Sequence, residues 1–182
     1  MSNVVIATTT FYRSTEDYRF SCAERMIKNA VADRHEVIIV DGSPNEEIRD
    51  YFRDLGAVVY NETAKGIGPS RRQLYSHVED WITHQSNLTM PPDVVFWIEP
   101  EKDDIIRFIP EIIVPIISGK DQIVVPSRTE YAWESYPKFQ RASERTANMV
   151  YKFATGLDVD IFFGPVAFYR DMLKSISDSK HS

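Results

Sequence analysis

Glu99, Glu101, Asp103 and Asp104 crowd four carboxylates into six residues, directly after the apolar run Val94-Val95-Phe96-Trp97-Ile98. Acids this close repel one another unless a cation neutralises them. Oxygen ligands at alternate positions suit Mg²⁺ or Mn²⁺, ions that keep several waters and complete their shell with substrate phosphates. In an extended segment Glu99 and Glu101 point to the same side and can share one ion, with Pro100 restricting the backbone between them. Asp103 and Asp104 also suit a plainer role as first-turn acids of a helix.

Two other stretches carry usable chemistry. In Lys65-Gly66-Ile67-Gly68-Pro69-Ser70-Arg71-Arg72 a glycine-containing loop runs into a predicted helix start with three cations nearby. Free backbone N–H groups and guanidinium forks suit a diphosphate, although no G-K-[ST] follows and the loop is not a Walker A sequence. On a helix starting near Pro69, Arg71 and Arg72 point about 100° apart, and the apolar positions Leu74, Val78 and Ile82 make Arg71 the one facing the mouth. Asp41-Gly42-Ser43 closes the run Val37-Ile38-Ile39-Val40; Asp41 can accept from a ribose hydroxyl or a base N–H, or serve as a turn residue. Asp158, Asp160 and Asp171 are further carboxylates that could act as bases. Tyr131, Trp133 and Tyr136 offer rings that pack on sugar faces. The four histidines are scattered, and the single cysteine, Cys22, excludes an intrachain disulfide and any zinc site needing two thiolates.

Short β-branched runs alternate with stretches of helical period, the pattern of an open sheet with helices on both faces. Strands are predicted at 4–8, 36–41, 57–60, 94–98 and 122–125, and strand-like sequence returns at 161–163 and 166–169. Residues 37–40 are continuously apolar, as in a strand buried on both faces near the sheet centre. Ser43, Pro44 and Glu46 read as the N-cap, first position and capping-box acid of a helix whose inner stripe is Ile48, Tyr51, Phe52 and Leu55. Further helices are expected at Cys22 to Val31, from Pro69 through Ile82, and across 105–116, where Pro110 and Pro115 must kink or divide the chain. The strongest helical stripe is Phe139, Ala142, Thr146, Met149, Val150 and Phe153, closed by Gly156. Ligands of such sheets collect beyond the carboxyl ends of the strands, where Asp41, the Gly66 loop and Glu99 all fall.

The composition narrows the field. With 21 Lys+Arg against 27 Asp+Glu the net charge is −6, and 43% of residues are hydrophobic. That describes one domain spanning residues 1–182, able to bury a core and unsuited to binding nucleic acid by charge alone. The greasiest stretch, 105–117, is broken by Arg107, Pro110, Glu111 and Pro115, so no membrane span is expected. Met1-Ser2-Asn3 lacks an export signal, which makes a cytoplasmic location the expectation.

Taken in order, these motifs resemble the nucleotide-sugar-binding core of GT-A fold glycosyltransferases, family 2-like, over roughly residues 4–171. Asp41 stands at the family's nucleotide-binding Asp, and Gly66-Ile67-Gly68-Pro69-Ser70-Arg71 at its Gly-x-x-x-Ala-Arg-Asn region. Glu99-Pro100-Glu101 stands at its Asp-x-Asp metal motif, and Gly164 to Arg170 at a later Gly-plus-apolar strand. The resemblance implies a Rossmann-like mixed sheet and transfer of a sugar from a nucleotide diphosphate donor to an unidentified acceptor. It implies donor contacts at Thr8, Asp41, Gly66, Arg71 and Glu99, a divalent metal at Glu99 and Glu101, and Asp160 as catalytic base. Thr-Thr-Phe-Tyr replaces the family's Pro-x-Tyr-Asn, Arg72 its Asn, and two glutamates its aspartates. A non-catalytic nucleotide-sugar binding protein is the alternative; a nucleotidyltransferase would need a Gly-rich loop after the first strand, where Thr8 to Arg13 has none. A partner chain, including a second copy in a homo-oligomer, could complete the acceptor site.

Overall fold

The computed structural model describes residues 4–84 and 92–177. The predicted loop at 85–87 and the end of the polar tail, 178–182, lie outside them. Six strands, β1 (Val4–Thr10), β2 (Glu36–Asp41), β3 (Val58–Asn61), β4 (Val94–Trp97), β5 (Ile123–Val124) and β6 (Val166–Tyr169), form one sheet in the order β3-β2-β1-β4-β6-β5. The first four are mutually parallel, and β6 runs antiparallel to both β4 and β5. The expected mixed sheet is therefore present, with β1 and β2 inside it because their residues are apolar on both faces.

Strand periodicity sorts those residues into two cores. Val4, Ile6, Val37, Ile39, Val94 and Phe96 enter one, with Ala23, Met26 and Ile27 of α1 (Tyr18–Ala32) and Ile48 and Phe52 of α2 (Glu46–Asp54). Val5, Ala7, Ile38, Val40, Val95 and Trp97 enter the other, with Leu74 and Val78 of α3 (Ile67–His84). Because the strands are parallel, the ends of β1, β2, β3 and β4 all open on the same edge, where Asp41, Asn61 and Ile98 lie.

Several elements differ from expectation for local reasons. Helix α2 starts at Glu46 after Asn45, and Ser43 is no N-cap because its hydroxyl is drawn to Asp41. Residues 161–163 form turns instead of a strand, ahead of Gly164 at φ 98 and Pro165. Prolines at first or second helical positions divide the 100–117 region into a 3-10 helix (Pro100–Phe108), α4 (Ile109–Ile112) and α5 (Val114–Ile117). The aromatic loop contains a short helix, α6 (Glu130–Glu134), capped by Thr129. Helix α7 (Lys138–Thr155) ends at left-handed Gly156 as expected, and α8 (Met172–Ser177) packs on α3.

Candidate functional site

The end of β2 is organised around Asp41, which is 1% exposed. Thr10 Oγ1 donates to its Oδ2 at 2.6 Å, Ser43 Oγ to the same oxygen at 2.8 Å, and the Ser43 N–H to Oδ1 at 3.0 Å. Arg49 of α2 adds Nη1 to Oδ1 at 3.2 Å and to the Ser43 carbonyl at 2.6 Å. Ser43 Oγ in turn accepts the Tyr12 N–H at 2.9 Å. A carboxylate so surrounded is satisfied without a ligand; it locks the chain after β1 to the turn after β2. Thr8 is likewise buried, its hydroxyl donating to the Ile98 carbonyl at 2.8 Å between β1 and β4. Neither Thr8 nor Asp41 therefore offers a free polar atom at the mouth. Arg49 could not have been foreseen, since it sits beside Ile48 on α2 and reaches Asp41 only after the helix docks.

The start of α3 is more open. Gly66 has φ 107, a conformation costly for any side chain, and its carbonyl accepts the Ser70 N–H and hydroxyl at 2.9 and 2.7 Å. The Ser70 hydroxyl also meets Glu62. Glu62 approaches Gly42 so closely that a Cβ there would lie 2.5 Å from its Oε2, which gives Gly42 a steric reason. Arg71 lays its guanidinium over the Trp97 ring at 3.8 Å, spanning from α3 to the end of β4. Trp97 is 4% exposed and its Nε1–H is without a partner among the described residues. Arg72, one position on, is exposed. Arg71 therefore stands at the end of β4.

The acidic segment corrects the expectation of two glutamates converging from an extended strand. Pro100 takes the first position of the 3-10 helix, so Glu99 remains extended as its N-cap while Glu101 turns into the helix. Glu101 pairs with Arg19 of α1, Asp103 with Arg25 at 2.6 Å, and Glu99 with Lys102, whose ammonium also lies 5.5 Å from the Phe163 ring centroid. The acids are neutralised by side-chain cations, and among the described residues no three His, Cys, Asp or Glu side chains gather as a metal set. A divalent ion at Glu99 and Glu101 would have to displace Lys102 and Arg19 from their carboxylates. Burial and the nearby Glu101 charge push the Tyr12 hydroxyl well above its ordinary pKa, so it stays neutral.

On the other side of Glu99 lies Gly164, where a Cβ would meet the Glu99 carboxylate at 2.8 Å. The loop before it carries Asp160, held in a fork by Arg128: Nε to Oδ2 and Nη2 to Oδ1, each 2.7 Å. Asn148 of α7 donates to Oδ1 at 2.9 Å, and Arg128 Nη1 reaches Glu144 of α7 at 2.7 Å. The same guanidinium lies over Trp133 at 3.6 Å and Tyr136 at 4.7 Å. Burial raises the Asp160 pKa, but the hydrogen bonds from Arg128 and Asn148 outweigh it and leave the carboxyl below the usual range. Asp160 is thus held ionised by its partners Arg128 and Asn148. Trp133 is buried under Arg128, Tyr131 points to solvent, Asp158 pairs with Lys152 at 2.5 Å, and Asp171 lies beside Arg170. Arg128 carries no sequence signal, because its ion-pair partners Glu144 and Asp160 lie 16 and 32 residues along the chain.

No family model and no curated protein matches the sequence. Solved structures of glucosyl-3-phosphoglycerate synthase from Mycobacterium tuberculosis do match in three dimensions. The structure of that synthase without a stated ligand aligns at TM-score 0.60 and 16% identity, over 96% of this chain and 59% of the other. The complex with Mn²⁺, UDP-glucose and phosphoglyceric acid aligns at 0.59 and 17%, over 96% and 59%. The complex with Mn²⁺, UDP and phosphoglyceric acid aligns at 0.53 and 16%, over 96% and 58%. The chain therefore spans under two thirds of the length of these neighbours. At this identity the match establishes the architecture: a single α/β domain with the GT-A glycosyltransferase fold.

Proposed function

We propose that the chain binds a nucleotide diphosphate sugar along the ends of β1 to β4 and transfers the sugar to an acceptor. The observation that carries this reading is Arg71, fixed over Trp97 in the first turns of α3, beside the strained Gly66 turn and on the edge braced by Asp41. A guanidinium held on an aromatic face keeps its N–H groups for an anion, and a diphosphate leaving group gains negative charge as the sugar bond breaks. In the reaction the bond from the sugar carbon to the diphosphate oxygen breaks, the acceptor oxygen bonds to that carbon, and its proton passes to a base. The similar synthase was crystallised with Mn²⁺. Here Arg71 and Lys65 are the cations proposed to face the leaving diphosphate, while Arg19 and Lys102 are engaged by Glu101 and Glu99. Glu99, with its side chain 40% exposed, is the carboxylate open to a donor hydroxyl. Asp41 and Asp160 act as positioning residues, the first for the turn after β2 and the second for the loop before Gly164.

A non-catalytic donor-binding protein is the second reading, favoured by the pairing of Glu101 and Asp160 with arginines. Calorimetry with UDP-, GDP-, CDP- and dTDP-sugars, with and without Mn²⁺, tests both. Binding of one donor without Mn²⁺, with slow donor hydrolysis by the protein, is the expected result. Binding without any hydrolysis or transfer selects the second reading, and no binding of any donor overturns both.

A further inference from the structure

Helix α7 is mounted inside out. None of its 18 residues is buried, yet it is among the most amphipathic segments of the chain. Its half-buried residues include Glu144, Asn148 and Tyr151, which lie on one helical face, and Glu144 and Asn148 tie the helix to Arg128 and Asp160 through polar contacts. Advancing 100° per residue, Phe139, Thr146, Val150 and Phe153 fall on the opposite face. There Phe153 is 94% exposed, Phe139 86%, Met149 64% and Val150 59%. Ile161 and Leu157, also exposed, continue the patch.

We infer that this face is a self-association surface, covered by α7 of a second copy in an antiparallel, two-fold pair. Three observations favour that occupant. Phe139 and Phe153 lie equally far on either side of Thr146, so a two-fold axis there sets each Phe139 against the partner's Phe153. The small residues Ala142, Ser143, Thr146 and Ala147 between them allow the helices to approach, and a surface paired with itself must be self-complementary in this way. Area is the second: with about 150–250 Å² on each aromatic ring, the exposed side chains total several hundred Å². That reaches or exceeds the roughly 300–600 Å² of a monomer's largest apolar patch and approaches the roughly 800 Å² per partner of a stable interface. Charge is the third. Of the cations on this helix, Arg145 is paired with Glu130 at 2.5 Å and Lys152 with Asp158 at 2.5 Å, and the chain's net charge of −6 disfavours an anionic lipid surface. Because Asn148 and Glu144 hold Asp160 and Arg128, pairing at α7 would also brace the loop before Gly164.

Sedimentation velocity over a micromolar concentration series tests the inference, with Phe153→Glu as the disrupting variant and circular dichroism and thermal midpoint as the folding control. Val150→Glu serves if Phe153→Glu does not fold. The parent chain is expected to sediment at twice the monomer mass and the variant as a folded monomer. Thr146→Cys should form an interchain disulfide on mild oxidation, while the parent, whose Cys22 is buried, should not. A monomeric parent, a disruption variant that stays dimeric, or a Thr146→Cys chain that fails to cross-link overturns the proposal. So does a monomer that binds phosphatidylcholine–phosphatidylserine vesicles through this face.

Discussion

Asp41 and Asp160 are both buried aspartates paired with an arginine, Asp41 through one guanidinium nitrogen and Asp160 through two, yet they stabilise different kinds of structure. Around Asp41 the partners Thr10, Ser43 and Arg49 belong to β1, the turn after β2 and α2, elements already fixed by the parallel sheet and its apolar core. The acid tightens a frame that burial has built. Around Asp160 the partners Arg128, Asn148 and, through Arg128, Glu144 come from a loop and from a helix with no buried residue. There the polar cluster is the frame. The difference teaches that two similar ion pairs can carry very different shares of local order, depending on how much apolar burial surrounds them.

The strongest way to break this comparison is Arg128→Ala, which leaves Asp160 and Glu144 unpaired. Removing one partner of a buried pair costs about 3–5 kcal/mol, and denaturant titration should show it, with loss of α7 protection in hydrogen exchange. A loss near about 1 kcal/mol, the scale of a surface pair, would mean that α7 is held by something else. Asp41→Ala should cost less, on the order of 2–3 kcal/mol for the stranded hydroxyl and guanidinium donors. The surrounding core should keep α2 and β2 protected while nucleotide affinity falls. Arg71→Ala should leave the denaturation midpoint almost unchanged and lower diphosphate affinity by about tenfold or more, the worth of a charged hydrogen bond. Arg72→Ala should do neither, and equal losses from the two would remove the distinction between them.

The smallest effect is the pH dependence. The folded-state pKa of Asp160 lies below its ordinary 3.8, so its contribution is fully present above that value and is lost as pH falls through the folded pKa. Acid titration followed by α7 fluorescence or exchange should therefore show the helix region holding through pH 4 and loosening below the usual carboxylate range. In Asp160→Asn that acid step should vanish, while the β1–β2 frame is unaffected.

Much of the sheet was legible because strand burial follows local pattern: 37–40 are apolar without a break, and successive residues among them alternate between the two cores. Helical geometry alone predicts that Arg71 and Arg72 point apart, and the structure lays Arg71 over Trp97 while leaving Arg72 exposed. Less legible were positions whose meaning depends on a distant partner. Ser43 reads as a helix cap until Asp41 and Tyr12 claim its hydroxyl. Glu99 and Glu101 read as a metal pair until Pro100 starts a 3-10 helix and Arg19 and Lys102 arrive from elsewhere. Trp133 reads as a sugar platform until Arg128 covers it.

What the sequence by itself determined is the alternation of strands and helices, the apolar runs that build the two cores, and the placing of Asp41, Gly66, Arg71 and Glu99 just beyond strand ends. These follow from period and chain order, which act over a few residues. What only the tertiary structure decided is which charges meet and which way α7 faces. Both depend on Coulomb and hydrogen-bond partners brought together from positions such as 19 and 101, 41 and 49, or 128 and 160, and no local period encodes those meetings. The α7 stripe has the spacing of a buried helix face, yet Glu144 and Asn148 turn its opposite side inward because Arg128 and Asp160 are there to be satisfied.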